Sequence, residues 1–528
     1  MYDYVIVGAG SAGCVLANRL SADPSSRVLL LEAGGPDDSP LIHTPAMMAM
    51  LSDTRFDWRY RTVPQPQCNM RRFFWPRGRT LGGSSSINYM IYIRGHAGDY
   101  DQWRDLGNPG WGWADVLPFF KKAENNERLG EPFHGRGGPL AVADLRFRHP
   151  LAEMFVAAAE NTGLARNGDF NGERQDGCGF YQVTQKEGVR WSTASAYLRP
   201  AVERPNLTVL TNALACRIRF DSRRAAGVEY VRRGSVSAAE ARREVILCGG
   251  TINSPHLLML SGLGPADEIR RHGVDVVQDL RGVGMNLQDH LGTWLRYEIT
   301  QPISLYGATP EQLAAVQAEY ESTRQGVLTS NVAEAGAFLR TEARFDKPNL
   351  QAFFLPYCLT EAPGEAPQPD RHGISLVFYV TRPASRGRIA LASADPLDQP
   401  LIDPNYLADP DDLAQFVAGI RMARQILAAK PLGSILGREI GPGPDAHSDD
   451  AIAAYVRNRA SGTIFHPVGT CRMGNDPLAV VDAALRVRGV DGLRVVDASV
   501  MPTLVGGNTN APTIMIAERA AAMMLGAS

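Results

Sequence analysis

The first thirty residues carry the pattern that most restricts the fold. An apolar run over residues 4–7 is followed by a glycine-rich turn, a helix-compatible segment over residues 14–21, and a second apolar run over residues 28–31. This order predicts a βαβ unit with parallel strands. Within the turn, Gly8 permits the tight bend, Gly10 lets a pyrophosphate approach the backbone, and Gly13 allows close packing of helix and strand. The pattern predicts a dinucleotide site at the N-terminus of the helix.

An acidic residue refines this prediction. Glu32 follows the second apolar run directly. A carboxylate there accepts hydrogen bonds from a ribose diol and repels a 2′-phosphate, which favours NAD or FAD over NADP. The alternative is an ordinary glycine-rich turn between a strand and a helix.

The rest of the chain predicts an α/β protein with two interleaved domains. Apolar segments at 207–210, 215–220, 245–248 and 493–496 indicate further strands of a Rossmann-like, doubly wound sheet. Alternating segments at 374–380 and 388–391 indicate an inserted substrate domain built on an antiparallel sheet flanked by helices. We assign 1–150, 190–300 and 451–528 to the dinucleotide domain, with a lid-like excursion at 40–68. We assign 301–450 to the substrate domain, with a contribution from 151–189, and we predict surface loops at 364–369 and 441–444.

Charge and cysteine usage exclude several classes of function. The formal net charge is -2, from 54 basic and 56 acidic side chains, which gives no field to attract a nucleic acid. The seven cysteines are scattered without a CxxC pair, so we predict reduced thiols and no metal site. The chain opens on the first strand without a leader pattern, which favours a cytoplasmic location. No run approaches the roughly 20 apolar residues of a membrane span, and a peripheral membrane contact stays open.

Four further motifs carry a family resemblance. They are the glycine-rich segment at 78–88, the segment at 250–264 with a helix capped near Ser254, the segment at 462–471 around His466, and Asp497-Ala498 continuing to the segment at 508–513. With the opening βαβ unit, they resemble the glucose-methanol-choline (GMC) flavoprotein oxidoreductases in the family's order. Within that family the chain is most similar to bacterial primary-alcohol dehydrogenases of alkane growth and to choline dehydrogenase.

The resemblance implies FAD. The residues it places around the cofactor are Gly8, Gly10, Ser11, Ala12, Gly13, Glu32, Ala33, Arg79, Gly82, Gly83, Ser84, Asn88, Ala215, Asp497, Ala498, Asn510, Pro512 and Thr513. Some relatives attach FAD through a histidine in the segment that corresponds to 78–88, at the position where this chain has Ile87. We therefore predict noncovalent FAD.

Two residues are the catalytic candidates. Imidazole titrates near pH 6.5 and suits the removal of an alcohol proton, so we assign His466 as the general base. The resemblance places Asn510 beside that histidine as a donor to the alcohol oxygen, while its position before a helix-like segment also fits an N-cap. The free amides of residues 511–513 would stabilise negative charge on a reduced flavin.

The predicted reaction is oxidation of an aliphatic or aryl primary alcohol to the aldehyde. Hydride would pass to flavin N5, and the electrons would go to a quinone-type acceptor. O2 is the alternative acceptor. The choice between the two would depend on access to the flavin, which Ile464 could restrict by crowding. Pocket candidates are Asn331, Glu334, Phe353 and Tyr357, and Glu334 keeps choline open as a substrate because a trimethylammonium group needs an aromatic cage or a carboxylate. Choline dehydrogenase, an oxygen-using alcohol oxidase and an FAD-containing hydroxynitrile lyase are the alternatives.

Overall fold

A parallel sheet forms the first half of the molecule. In the computed structural model, which describes residues 1–359, 372–460 and 462–526, the strands lie in the order Leu207–Leu210, Val28–Leu31, Tyr2–Val7, Ser235–Leu247 and Leu493–Val495. The central strands are almost fully buried, as expected for parallel strands covered on both faces. Their carboxyl ends point to one edge, where the glycine-rich turn follows Val7 and Glu32 follows Leu31.

One long strand joins this sheet to an antiparallel meander. The second half of Ser235–Leu247 pairs with Tyr2–Val7, while its first half pairs with Arg224–Arg232, which in turn pairs with Ala213–Asp221. The prediction that residues 215–220 form a strand of the doubly wound sheet was therefore wrong in its pairing. Its edge position nevertheless brings Ala213–Asp221 beside the carboxyl end of the parallel strands, because Ala213 N–H donates to the Glu32 carbonyl oxygen over 2.8 Å.

A second, antiparallel sheet forms the other half. Its strands lie in the order Leu436–Gly441, Leu291–Ile299, Gly373–Val380, Leu350–Leu355, Ala335–Leu339 and Gly177–Phe180, and Gly462–Thr463 pairs with the start of Leu291–Ile299. The helices Pro150–Asn161 and Pro410–Ala428 pack on its outer face. Gly419 permits close approach there, since a Cβ atom at this position would lie 2.6 Å from Phe378 Cε2.

Two predicted boundaries differ from the structure. Leu291–Ile299 falls in the range 190–300 assigned to the dinucleotide domain, yet it is a central strand of the antiparallel sheet. The segment 388–391 does not join that sheet, because Gly387–Ala390 pairs with Met285–Leu287 and Leu401–Asp403 in a separate small sheet. Local alternation indicated the strands correctly, but pairing depends on partners far away in the chain.

The remaining elements connect the two sheets. Helices span Ser11–Leu20, Pro40–His43, Ala97–Asp105, Trp113–Ala123, Gly250–Leu260, Ala266–Arg271, Pro310–Thr323, Asp449–Arg459 and Asn510–Leu525. Short strand pairs are Tyr60–Arg61 with Phe74–Trp75, Glu124–Asn126 with Leu140–Val142, Gln185–Lys186 with Val189–Arg190, and Leu263–Gly264 with Gln278–Asp279. Short 3-10 turns include Pro45–Leu51 in the predicted lid and Gly83–Ser86 in the glycine-rich segment at 78–88. The predicted loop at 364–369 lies outside the described residues.

Two helices begin earlier than the sequence indicated. Gly250–Leu260 already contains Ser254, so Ser254 is not its cap, and the helix Asn510–Leu525 contains Asn510. The N-cap position of the latter is Thr509, which makes no capping hydrogen bond with its side chain, so the N-cap prediction for Asn510 was wrong. This helix ends at Gly526, whose φ of 68° is the left-handed conformation that ends many helices.

The last helix packs against the first. Glu518 is fully buried, and its carboxylate pairs with Arg19 at 2.6 Å and Lys122 at 3.3 Å and accepts a hydrogen bond from the Tyr197 hydroxyl over 2.9 Å. A buried carboxylate needs such partners to offset its lost hydration. The contact fixes Asn510–Leu525 against Ser11–Leu20. Among the described helices, none is long and apolar enough to cross a membrane.

Candidate active site

A cavity of about 1040 Å³ runs between the two sheets. Its wall at the parallel sheet, the glycine end, includes Gly8, Gly10, Ser11, Glu32 and Gly83. Its wall at the antiparallel sheet, the aromatic end, is formed by Tyr89, Ile91, Trp294, Ala333, Phe353, Leu355, Tyr357, Val377, Leu359 and Ile464. A single small-molecule pocket rarely exceeds about 1,000 Å³, so the volume fits a large cofactor together with a substrate.

Steric constraints at the glycine end agree with a bound pyrophosphate. A Cβ atom on Gly13 would lie 1.8 Å from the Gly8 carbonyl oxygen, so only glycine lets the helix meet the strand. A Cβ on Gly10 would meet only the Cys248 carbonyl oxygen, at 4.0 Å, so the protein itself leaves this position open. The first N–H groups of Ser11–Leu20 have no partner within their helix, and they suit phosphate oxygens.

Glu32 supplies the acid of the same end. Its carboxylate is 5% exposed and accepts hydrogen bonds from the N–H groups of Ala9 and Gly34, each over 2.8 Å. Burial raises the pKa of Glu32 to about 7, although both backbone donors oppose the shift. Each oxygen keeps a lone pair beyond these bonds, and Glu32 lines the cavity. Ribose hydroxyls would satisfy both, so the residues present fit the ADP portion of FAD.

Most of the predicted cofactor residues line this cavity. They are Gly8, Gly10, Ser11, Ala12, Glu32, Ala33, Arg79, Gly83, Ser84, Asn88, Ala215, Asp497, Ala498, Asn510 and Thr513. Gly13, Gly82 and Pro512 are not among its lining residues; Gly13 acts in packing, and Gly82, with a φ of 84°, shapes the turn before Gly83. Ile87, at the position of covalent attachment in some relatives, also lines the cavity.

Two of the lining residues have structural partners. Asp497 accepts hydrogen bonds from Gly250 N–H over 2.9 Å and from the Ser254 hydroxyl over 2.6 Å. These bonds connect the segment at 250–264 to the residues that follow the strand Leu493–Val495. Asn88 Oδ1 accepts from the buried Arg190 guanidinium over 2.8 Å. These contacts hold loops that line the cavity in place.

His466 lies where the two ends meet. It is 7% exposed, and its main-chain N–H donates to Asp289 Oδ1 over 3.0 Å. Phe465, immediately before it, has a φ of 69°, a conformation that costs energy for a bulky residue and often marks a functional site. Burial is the main cause that holds the pKa of His466 well below its ordinary value, and the neighbouring histidine and Arg77 act in the same direction. The imidazole is therefore neutral and available as a base.

Both ring nitrogens of His466 have neighbours. Nδ1 lies 2.9 Å from Nδ1 of His290, a fully buried residue that the sequence did not indicate. Nε2 lies 3.1 Å from the Asn508 amide nitrogen. Asn508 belongs to the motif at 508–513, but nothing in the sequence separated it from Asn510.

Asn510 takes a different position from the one its predicted role suggests. Its Oδ1 accepts a hydrogen bond from the Ser11 hydroxyl over 2.7 Å, at the border of the glycine end. It lines the cavity, so a donor role toward a substrate stays a prediction. The amide in contact with His466 is Asn508.

The predicted substrate residues divide into two groups. Phe353 and Tyr357 line the aromatic end, whereas Asn331 and Glu334 are not among the lining residues of the cavity. Glu334 is fully buried and accepts hydrogen bonds from His149 N–H over 2.6 Å and the Ser330 hydroxyl over 2.5 Å. The suggestion that Glu334 anchors a choline ammonium was therefore wrong, because its carboxylate holds two chain segments together. Asn331 donates to the Tyr89 carbonyl oxygen over 3.0 Å, a structural contact.

The aromatic end carries no acid among the described residues. The carboxylates that line the cavity are Glu32, Asp398 and Asp497, and all three belong to other walls. Ile464 packs against the aromatic residues, two positions before His466. Over the residues that the structure describes, this end is thus an apolar pocket with the His466 imidazole at its border.

The sequence of this chain is similar to those of known proteins. Residues 2–292 and 383–517 match the N- and C-terminal models of GMC oxidoreductases. The chain is 51% identical over 532 residues to an alcohol dehydrogenase (acceptor) of Pseudomonas putida, over 99% of this chain and 96% of that protein. It is 44% identical to the mitochondrial choline dehydrogenase of Mus musculus, over 99% and 89% of the two chains.

A solved structure extends the likeness to three dimensions. A formate oxidase of Aspergillus oryzae, studied for modification of its FAD, superposes with a TM-score of 0.92 at 30% identity, over 99% of this chain and 98% of that one. The predicted fold class is confirmed. The two family matches span most of the chain, and the cavity fits the cofactor that the family uses. The chain therefore belongs to the GMC oxidoreductase family and is an FAD enzyme that acts on the CH–OH group of alcohols.

Proposed function

We propose that the protein oxidises an apolar primary alcohol to the aldehyde and passes the electrons to a quinone-type acceptor. The observation that carries this proposal is the position of His466, between a cofactor-sized glycine end and an apolar aromatic end. An alcohol whose carbon chain lies in the aromatic end would present its hydroxyl group to His466. The aldehyde product contains one proton and one hydride fewer than the alcohol substrate.

The chain divides the chemistry with its cofactor. Bound FAD supplies the hydride acceptor. His466 Nε2 takes the hydroxyl proton, and the alcohol oxygen replaces the Asn508 amide as its hydrogen-bond partner. Asn508 and Asn510 then offer amide donors that orient this oxygen and stabilise its developing negative charge.

The substrate proposal rests on the composition of the aromatic end. Aliphatic and aryl groups gain free energy by leaving water for such a surface. Choline is the second candidate, because the rings of Tyr89, Trp294, Phe353 and Tyr357 could attract a trimethylammonium group and because choline dehydrogenases are similar to this chain. The lack of a carboxylate among the described residues of this end favours the apolar alcohol.

The acceptor and the cofactor linkage are also proposals. The similarity to an alcohol dehydrogenase (acceptor) favours a quinone-type acceptor over O2. Ile87 has no nucleophile, which supports noncovalent FAD. Acid precipitation should release the yellow colour into the supernatant, whereas FAD that stays with the pellet would contradict this assignment.

The main experiment follows the flavin absorbance without air. We expect octanol or benzyl alcohol to bleach the flavin, a quinone to restore the colour, and admitted air to restore it only slowly. Rapid recovery in air with formation of peroxide would indicate an oxidase. Bleaching by choline alone would favour the second candidate, and no bleaching by any alcohol would favour a lyase.

His466→Gln tests the base. The variant should keep its FAD and lose the rate of flavin reduction by about 10²–10⁴-fold, the usual contribution of a general base. His447→Gln, a change at an exposed histidine, is the matched control and should reduce at the normal rate. Equal rates for both variants would contradict the proposed role of His466.

A further inference from the structure

His290 is buried behind His466, away from the cavity lining. Its Nδ1 lies 2.9 Å from His466 Nδ1, and its Nε2 lies 2.8 Å from the Thr381 carbonyl oxygen. Its ring stacks on Tyr379, with centroids 4.2 Å apart. Each ring nitrogen of His290 therefore has a hydrogen-bond partner.

The carbonyl group of Thr381 decides where the protons are. A carbonyl oxygen only accepts hydrogen bonds, so Nε2 of His290 must carry a proton. In a neutral imidazole the other nitrogen then accepts, so His290 Nδ1 accepts a hydrogen bond from His466 Nδ1. A proton on His466 Nδ1 leaves the lone pair of neutral His466 on Nε2.

The state of charge supports this chain of bonds. Burial lowers the pKa of His290 to about 3, an effect that the charge of Arg382 strengthens, while the Thr381 carbonyl and Asp99 oppose it. His290 is thus neutral near neutral pH. A neutral His290 can accept from His466 before and after His466 takes up a proton.

The opposite side of His466 agrees with the same assignment. Asn508 Nδ2 lies 3.1 Å from His466 Nε2, and an amide nitrogen can only donate. The hydrogen bond from Asn508 therefore requires that Nε2 of His466 is unprotonated. The main chain is held as well, since Asp289, the residue before His290, accepts the His466 N–H over 3.0 Å.

We propose that His290 is a positioning residue that holds His466 in the tautomer with the proton on Nδ1 and the lone pair on Nε2. The inference rests on the proposed function of His466 as the base. In the reaction the alcohol O–H bond breaks, its proton forms an N–H bond at Nε2, and the carbon-bound hydride leaves with its electron pair for FAD. His290 changes no bond of its own, because its single N–H proton stays on Nε2 and is donated to the Thr381 carbonyl oxygen throughout.

The direct test reads the tautomer of the FAD-bound protein. Ring-¹⁵N histidine labelling and two-dimensional ¹H–¹⁵N spectra separate protonated from bare ring nitrogens, and His466→Gln identifies the His466 signals. We expect a protonated Nδ1 and a bare Nε2 between pH 6 and pH 9. A proton on Nε2 in the resting enzyme would overturn the proposal, whatever the activity shows.

Two substitutions test the consequence for the rate. His290→Phe keeps a ring to stack on Tyr379 but removes the acceptor, so the His466 signals should change to a mixture of tautomers and flavin reduction should slow about 100-fold or more, as when a catalytic histidine loses its orienting partner. His290→Asn can still accept from His466 and donate to Thr381, and it should recover the rate to within about tenfold. A His290→Phe enzyme with the original tautomer and rate would overturn the proposal.

The two proposals fail in different ways. If His466→Gln reduces its flavin at the normal rate, the role of His466 as base is wrong, while the tautomer spectrum still decides what His290 does. If His466→Gln is slow but His290→Phe is not, His466 acts without help from His290. Retained FAD absorbance and an unchanged thermal midpoint in each variant exclude general misfolding as the cause.

Discussion

The two ends of the cavity are built from different parts of the chain. The glycine end consists largely of backbone: turns at Gly8 and Gly83, free N–H groups at a helix start, and one acid at the end of a strand. The aromatic end consists of side chains from several separate strands and loops. A site made of backbone needs fixed residue types at fixed spacing, whereas a site made of side chains can be lined by many combinations of apolar residues.

This difference should appear in how each end responds to substitution. A change at the glycine end meets a rigid backbone and acts on folding or on cofactor binding. A change at the aromatic end meets other side chains and acts on the choice of substrate. Four predictions test the contrast, beginning with the largest effect.

Gly13→Ala should strongly destabilise the fold, and Gly10→Ala should not. The new methyl group at Gly13 would lie 1.8 Å from the Gly8 carbonyl oxygen, while the nearest atom at Gly10 is 4.0 Å away. Overpacking against backbone costs about 3 kcal/mol or more, so Gly13→Ala should be insoluble or unfold at much lower urea concentration. Gly10→Ala should fold but bind FAD at least about tenfold more weakly, because its methyl group enters the phosphate space. Equal FAD content in the two purified variants would refute the distinction.

Phe354→Ala and Phe353→Ala compare adjacent residues on one strand. Phe354 is fully buried and stacks on Phe155 at 4.9 Å, whereas Phe353 lines the cavity. Removing the Phe354 ring should lower the free energy of unfolding by about 3–5 kcal/mol without changing substrate preference. Phe353→Ala should instead shift preference toward bulkier alcohols by about tenfold in kcat/KM. Urea unfolding and a series of alcohols of increasing size measure both effects.

Glu32 should make the FAD-free protein more stable as the pH falls from 8 to 5. Burial raises the pKa of Glu32 in the folded chain to about 7, from its ordinary value of 4.5. As the pH falls, Glu32 therefore takes up a proton in the folded state before it does so in the unfolded state. The free-energy cost of burying the charged carboxylate, which is present above pH 7, disappears toward pH 4.5. Relative to Glu32→Gln, the free energy of unfolding should rise by about 2 kcal/mol over this range. A difference between the two proteins that does not vary with pH would argue against a strained carboxylate.

Glu334→Gln should have the smallest effect on catalysis. Glu334 accepts bonds from His149 and Ser330 and does not line the cavity. Loss of one acceptor should cost about 1–3 kcal/mol of stability. The ratio of kcat/KM for choline to that for benzyl alcohol should stay within about twofold. A selective loss of choline oxidation would restore Glu334 as the ammonium anchor.

The sequence predicted the two ends unequally for the same physical reason. The turn at Gly8–Gly13, the acid Glu32 and the imidazole His466 were all indicated by local patterns, because their neighbours in space are also neighbours in the chain or belong to long motifs. Trp294 and Tyr89 were missed, since they meet only when Leu291–Ile299 takes its place in the antiparallel sheet. His290 was missed too, because its proposed role depends on the Thr381 carbonyl oxygen, which follows a different strand.

The bond between the Ser11 hydroxyl and Asn510 Oδ1 joins residues 499 positions apart. A chain in which the helix Asn510–Leu525 has not yet packed would lack the element that closes the cavity beside the first βαβ unit. Its first helix would meanwhile expose the apolar face that this last helix covers. The wall of the cavity at Ser11 is thus complete only when two segments from distant parts of the chain have packed together.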